Sequence, residues 1–307
     1  MKKKIVIFGC QKITFDLINF LLKKKNVELS LVVTYELPHD FINSGVDIIK
    51  LCKQKKIKIK ICKKIDKNIE GTIKNIGPDL IISSYYRKIL TKPIWSASKI
   101  LSINIHPSLL PFYRGPVPTA WALLNLERYT GVTIHKINHT IDGGDILFQK
   151  KFKIKNSETG YELYLKSMKE GFSLFKKNFQ KILNSKIKSY KQKSGGSYYG
   201  PINNFDFINW RLKSEEIHAL VRMRSYPYNI AQTIMYNKYF FINTIKVLNK
   251  KILIQKPGKI LKVNNDGTFI VSTSNGSILV KEYAVVPKFK NINEKKIYIK
   301  KGHSFKL

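Results

Sequence analysis

No stretch of this 307-residue chain holds the roughly 18 consecutive apolar residues that would span a bilayer. The opening Met1-Lys2-Lys3-Lys4-Ile5-Val6-Ile7-Phe8 has the outline of a secretory leader, but its apolar part runs only from Ile5 to Phe8 and meets Gly9-Cys10-Gln11-Lys12 with no cleavage site. The segment reads as a first strand, and a cytoplasmic location is expected. Cysteine is scarce: Cys10, Cys52 and Cys62 are odd in number and fit neither a zinc site nor a disulfide framework, so they read as structural thiols. A dinucleotide fingerprint needs G-x-G-x-x-G after the first strand, and only Gly9 is there, so NAD and FAD have no support. No His/Cys/Asp cluster has ligand spacing. His135 and His139 are four apart but fall on a strand and then a turn, so no metal is expected. Acidic residues are few, 20 against 56 Lys and Arg, which leaves a formal charge of +36. That balance suits a nucleic acid or another anionic ligand. It also fits a compositional bias, because the lysines are spread along the whole chain.

At 43% hydrophobic the chain can build real cores, and its length suggests two domains at about 150 residues each. Strands are expected over 3–8 and 27–33 with a helix over 13–22 between them, the opening βαβ of a doubly wound α/β sheet. Helices over 46–53 and 65–76 and strands over 57–61 and 79–84 continue it, with Gly77-Pro78 ending the second helix. Further strands are read over 100–105, 132–137 and 146–154, the last near a sheet edge, and helices over 119–126 and 161–183. The long helix carries an apolar stripe through Leu163, Met168, Phe172, Phe175 and Phe179. Residues 185–204 lack periodicity and read as a linker. The expected domains are 1–195 and 203–307. The second opens with a helix over 214–223. Short strands over 240–247, 251–255, 259–263, 269–273 and 277–285 follow, with Asn265-Asp266-Gly267 and Asn275-Gly276 as hairpin turns, a pattern that suggests a small OB-like β-barrel.

The centre of the chain is residues 102–145. Pro107 ends the strand there, because proline cannot donate to a ladder. Asn104 and His106 are two residues apart and so share a face of it. A second strand leads to Asp142 in the turn Asp142-Gly143-Gly144-Asp145. An amide, an imidazole and a carboxylate together make an acyl-transfer site: the amide can donate to an oxyanion, and the other two can handle a proton.

This stretch resembles the formyltransferase family that uses 10-formyltetrahydrofolate, whose signature is an Asn, a His two residues on, a Ser-Leu-Leu-Pro and a later Asp. Here they stand as Asn104, His106, Ser108-Leu109-Leu110-Pro111 and Asp142. The resemblance implies a Rossmann-like formyltransferase domain with a parallel-rich sheet, followed by the small barrel, whose opening Pro-Gly matches Pro257-Gly258. It implies a primary amine attacking the formyl carbon, with Asn104 and His106 stabilising the oxyanion and Asp142 supporting the imidazole. Which of His106 and Asp142 is the base stays open. It further implies that Ser84, Tyr85, Tyr86, Ile141 and Asp142 hold the folate co-substrate, and that Ser108, Leu109, Leu110, Pro111, Arg114 and Arg222 face the acceptor, with Arg114 and Arg222 as candidate diphosphate contacts or, alternatively, as ties that hold loops through backbone carbonyls.

Two branches of the family supply the acceptor. In the methionyl-tRNA branch the second strand usually leads into Pro-Asp-Arg-Pro and a basic loop. Here it leads into Thr34-Tyr35-Glu36-Leu37-Pro38-His39-Asp40. The branch that formylates amino sugars on nucleotides is more similar in Phe8-Gly9-Cys10-Gln11-Lys12-Ile13, Ser83-Ser84-Tyr85-Tyr86-Arg87 and Phe207-Ile208-Asn209-Trp210. The sequence therefore favours a nucleotide-linked 4-amino sugar, with initiator methionyl-tRNA as the alternative and a homodimer as the form common in the sugar branch.

Overall fold

The computed structural model of the chain describes residues 1–36, 45–202, 206–248, 255–287 and 299–306. It divides into two compact units: Met1–Thr119, Tyr129–Lys153 and Tyr164–Pro201 form the first, and Ala120–Arg128, Ile154–Leu163 and Ile202–Leu307 the second. No composition shift marks the two short segments, 120–128 and 154–163, that the second unit takes from within the first.

The first unit is a seven-stranded sheet of β1 (Lys3–Gly9), β2 (Val27–Thr34), β3 (Ile59–Ile61), β4 (Leu80–Ser84), β5 (Leu101–His106), β6 (Tyr129–Lys136) and β7 (Ile146–Lys153), in the order β3-β2-β1-β4-β5-β6-β7. The pairs from β3 through β5 are parallel, and β6 and β7 run antiparallel. The expected parallel-rich, Rossmann-like sheet is present. Strand order reverses between β1 and β4, and in open α/β sheets the crevice beyond such a reversal takes ligands.

Alternation along β1 explains the layering. Ile5 and Ile7 enter one core, with Leu17, Phe175 and Phe179, while Val6 and Phe8 enter the other, with Ile73 and Ile94. Both cores are built by helices whose ends the sequence marks. In α2 (Ile48–Gln54) and α3 (Lys67–Ile76) the Asp47 and Asp66 carboxylates accept the Lys50 and Ile69 amides at 2.8 and 3.0 Å. These caps set the helix starts two residues later than apolar spacing suggests. Gly77, at φ +55°, closes α3 in the left-handed conformation. The long α6 (Gly160–Leu183) lays Phe175 and Phe179 on the sheet, where Phe20 of α1 (Lys12–Leu22) meets Phe179 edge-on at 5.2 Å. The single-turn α4 (Lys92–Trp95) and the short α5 (Pro118–Leu124) complete the order. Apolar spacing does not signal α4, which is too short to show a period.

Residues 185–201 are not a free linker. Tyr190 exchanges backbone bonds with Ile146 at 2.8 and 2.9 Å, Arg114 donates to the Ser197 carbonyl at 2.9 Å, and Tyr199 donates to the Arg114 carbonyl at 3.0 Å. The segment is bound along the first unit through its backbone, which leaves no periodic side-chain signal.

The second unit carries α7 (Ser214–Met223) and an antiparallel sheet of β8 (Ala231–Met235), β9 (Lys238–Leu248), β10 (Ile260–Val263), β11 (Phe269–Ser272) and β12 (Ser277–Pro287), ordered β10-β11-β12-β9-β8. The expected strand over 251–255 falls almost wholly outside the described residues. Strand β8 was not expected, because its hairpin to β9 turns on Tyr236-Asn237 rather than a glycine pair. Both residues take positive φ, 49° and 57°, as a two-residue hairpin turn requires. The C-terminal segment closes the sheet toward a barrel. Ile260 donates to the His303 carbonyl at 2.7 Å, Phe305 to that of Gly258 at 3.0 Å, and Lys306 to that of Ile234 on the opposite edge at 2.9 Å. Phe305 fills the interior, stacked on Trp210 at 5.1 Å and edge-on to Phe240 at 5.1 Å. Among the described residues no helix is long and apolar enough to cross a membrane.

Candidate active site

Strand β5 sets out the first two polar groups, and its register with β6 sets out a third. Asn104 lies opposite His135, and His106 opposite Thr133. Cross-strand partners share a face, so Asn104, His106 and His135 project together. Because β6 is antiparallel, Asp142 does not arrive at a neighbouring strand end. Instead the connection from β6 to β7 folds back and brings it onto that same face.

The contacts are close and nearly dry. Asn104 donates from Nδ2 to Asp142 Oδ1 at 3.2 Å and lies 3.2 Å from His135 Nε2. His106 Nδ1 is 3.5 Å from Asp142 Oδ2, and His135 Nε2 is 3.5 Å from Asp142 Oδ1. The His106 and His135 side chains are only 4% and 3% exposed, and that of Asp142 13%. The Gly115 amide donates to Asp142 Oδ2 at 3.0 Å. Gly115 has φ +94°, and a Cβ there would strike the Tyr199 carbonyl, so this backbone donor needs glycine.

Partners fix the tautomers. His106 Nε2 faces the Tyr113 carbonyl at 2.8 Å, and a carbonyl only accepts, so Nε2 carries a proton. His135 Nδ1 faces the Lys136 carbonyl at 2.8 Å, so Nδ1 carries its proton and Nε2 accepts from Asn104. Burial pulls the His106 imidazole below its ordinary value and outweighs the upward pull of Asp142 and the Tyr113 carbonyl. His106 is therefore neutral, with Nδ1 open, and 3.5 Å to Asp142 is too long for a strong hydrogen bond. Burial alone would raise the Asp142 carboxyl, but the pull of the His106 and His135 imidazoles when either is protonated, together with the Gly115 amide at Oδ2, holds it well below the usual carboxylate range. The site thus pairs a fixed carboxylate with an uncharged imidazole that can take up a proton beside it.

The remaining expected residues fall into different settings. Ser84 is fully buried with its hydroxyl 3.1 Å from that of Thr14, so only its backbone is available beyond β4. Tyr85 bonds the Ser167 hydroxyl at 2.7 Å. Tyr86 packs on Phe8 and Tyr35, and its own hydroxyl is buried with no partner among the described residues. Ile141 stands 44% exposed next to Asp142. The side chains of Ser108 and Leu110 are spent on their own loop: Ser108 Oγ donates to the Phe112 carbonyl at 2.7 Å and Leu110 is buried. Leu109 packs where a side chain at Gly131 would stand, and the Pro111 carbonyl accepts from the Ser197 amide. Arg114 donates from Nε and Nη2 to Gln192 Oε1 at 3.2 and 2.8 Å. Arg222 belongs to the second unit and donates to the carbonyls of Lys155 and Glu158 at 3.1 and 3.2 Å. Both guanidiniums thus hold neighbouring segments of their own units.

His135 is the group that reading residue by residue misses. Taken as half of a possible metal pair it is rejected, and only its register opposite Asn104 places it in the site. Among the described residues no group of three or more His, Cys, Asp or Glu is arranged to hold a metal ion.

The formyl transferase family model matches residues 3–177, and the model of that family's C-terminal domain matches residues 203–300. The methionyl-tRNA formyltransferase of Clostridium tetani is 34% identical over 216 residues, 68% of this chain and 67% of that protein. The bifunctional polymyxin resistance protein ArnA of Wigglesworthia glossinidia brevipalpis is 30% identical along 99% of this chain, which spans 48% of that longer protein. Among solved structures, WlaRD, a sugar 3N-formyl transferase crystallised with dTDP and 5-N-formyl-THF, superposes with a TM-score of 0.70 at 27% identity, over 92% of this chain and 98% of its own. The N-formyltransferase of Helicobacter canadensis shares the fold, with a TM-score of 0.73 at 24% identity over 92% of this chain and 100% of its own. With a family model covering more than half of its length and an amide, imidazole and carboxylate gathered on one sheet face, the chain is an enzyme of the formyl transferase family.

Proposed function

We propose that this enzyme moves the formyl group of 10-formyltetrahydrofolate to the amine of a nucleotide-linked 4-amino sugar, using Asn104, His106 and Asp142. The observation that carries the reading is the convergence of Asn104 Nδ2 and His106 Nδ1 on the two oxygens of Asp142. Two residues fit an aromatic heterocycle: the Tyr86 hydroxyl, just beyond β4, is buried with no partner among the described residues, and Ile141, beside Asp142, offers an exposed apolar side chain. The co-substrate supplies the electrophilic carbon.

The amine nitrogen bonds to that carbon, and the carbonyl electron pair moves onto oxygen. Asn104 donates to this oxygen after releasing one of its two resting partners, where a single such donor is worth ~3 kcal/mol. His106 takes the amine proton on Nδ1, and the imidazolium is stabilised by Asp142. His106 then returns the proton to the nitrogen that leaves as the carbon–nitrogen bond to the folate breaks. In this division of labour residues 1–195 carry the chemistry, and 203–307 form the accessory barrel domain. A homodimer and a cytoplasmic location go with the same reading.

Support for a sugar comes from the missing Pro-Asp-Arg-Pro after β2 and from likeness to a sugar formyltransferase along 92% of the chain. Initiator methionyl-tRNA is the second reading, favoured by the 34% identity to a methionyl-tRNA formyltransferase and by the charge of +36. The test is formyl transfer measured side by side on methionyl-tRNA and on UDP-, dTDP- and GDP-linked 4-amino sugars. Turnover of a sugar alone is expected, and turnover of the tRNA alone would overturn the sugar assignment.

A further inference from the structure

Gln192 lies in the segment that sequence patterning leaves blank, yet it uses every hydrogen-bonding site of its amide. Its Nε2 donates to the carbonyls of Asp142 and Gly144, both at 2.7 Å. Its Oε1 accepts from Nε and Nη2 of Arg114 at 3.2 and 2.8 Å. The turn it grips is unusual. Asp142 has φ +50°, a left-handed conformation that costs a non-glycine residue on the order of 1 kcal/mol and persists only where the surroundings enforce it. The same loop is held from the Arg114 side, where the next residue, Gly115, gives its amide to Asp142 Oδ2. Gln192 therefore ties the backbone of the Asp142 turn to the segment that binds the Asp142 carboxylate.

We propose that Gln192 is a positioning residue for formyl transfer: its amide clamps the Asp142–Gly144 turn so that the carboxylate stays in register with His106 and Asn104. The proposal rests on the formyl-transfer reading for its kinetic effect, though not for its effect on His106. The charged and titratable groups around His106 are Asp142 from the β6–β7 connection and His135 from β6, with Arg114 beyond Gln192. If the clamp goes, Asp142 drifts and His106 loses the group that pulls its proton affinity up.

Two variants separate the parts. Gln192→Met keeps length and bulk but removes donor and acceptor. Gln192→Glu keeps an acceptor for Arg114 and removes the donors to the turn. Both are expected to lower kcat about tenfold to a hundredfold, as a misplacement near 1 Å does, with KM for the amine within about twofold. In Gln192→Met the His106 imidazole, followed by NMR, is expected to titrate at lower pH than in the wild type. A merely structural glutamine would lower the melting temperature of both variants and leave kcat and the His106 titration unchanged, which would overturn the proposal. If Gln192→Met does not fold, wild-type kcat in Gln192→Glu overturns it and a selective fall supports it. If the wild type transfers formyl to no amine, the functional reading fails, and the His106 titration still decides the clamp.

Discussion

Asn104 holds Asp142 through a single amide nitrogen, 3.2 Å from the carboxylate oxygen Oδ1. The same nitrogen lies 3.2 Å from His135 Nε2, so both of its protons are committed at rest. An oxyanion must therefore compete for one of them, and the gain is realised only as charge develops. Asn104→Ala is predicted to lose ~3 kcal/mol of transition-state stabilisation, roughly a hundredfold in kcat/KM. Steady-state kinetics checks it; a change below about threefold would remove Asn104 from the chemistry.

His135 accepts from that amide without needing to touch the substrate. Replacing it with Phe keeps the ring and removes the acceptor, so the Asn104 amide is free to rotate. His135→Phe is predicted to lower kcat with KM little changed, and His135→Gln, which restores an acceptor, to recover part of the loss. Equal damage in both variants would show that the ring shape, not the hydrogen bond, matters.

The second unit carries an acid-sensitive group. Burial, and then Arg222, push the His218 imidazole down to about 4. The unfolded chain binds its proton near the ordinary ~6.5, so below that pH the unfolded state takes up more protons than the folded one. Stability from this residue is present above about 6.5 and declines as pH falls toward 4. His106 has the same sign, because it too is held neutral by burial. Denaturant titrations at pH 7 and 5 are predicted to show the wild type losing more stability than His218→Gln. An equal loss would contradict the assignment.

Phe305 joins the barrel interior to the C-terminal segment. It meets the rings of Trp210, Phe240 and Phe269 and is 3% exposed. Phe305→Ala is predicted to cost about 3–5 kcal/mol, a lower denaturation midpoint for the second unit's transition. A midpoint within error of the wild type would mean that the segment does not close the sheet.

The sequence made the layers legible because the signals were periodic or geometric: Ile5, Val6, Ile7 and Phe8 alternate between two cores, and Asn104 and His106 sit two apart on one strand. Groups placed by pairing or by backbone contact were not legible. His135 enters the site through its register opposite Asn104, and β8 turns on Tyr236-Asn237, which carries no glycine. Gln192 sits in an aperiodic segment held through main-chain bonds, where nothing local marks it. For Arg114 and Arg222 the sequence left two roles open, phosphate contact and loop tie, and the structure gives both guanidiniums partners within the fold.

The most direct test of the account is the proton-accepting step at His106. Its Nε2 is tied to the Tyr113 carbonyl, which leaves Nδ1 as the nitrogen that takes the amine proton. Formyl transfer to the best amine acceptor should be measured across pH for the wild type and His106→Ala. The expected result is a wild-type rate that falls on the acid side as His106 is protonated, and a variant at least ~100-fold slower in which that limb is gone. Near-normal turnover by His106→Ala, with the acid limb intact, would contradict it.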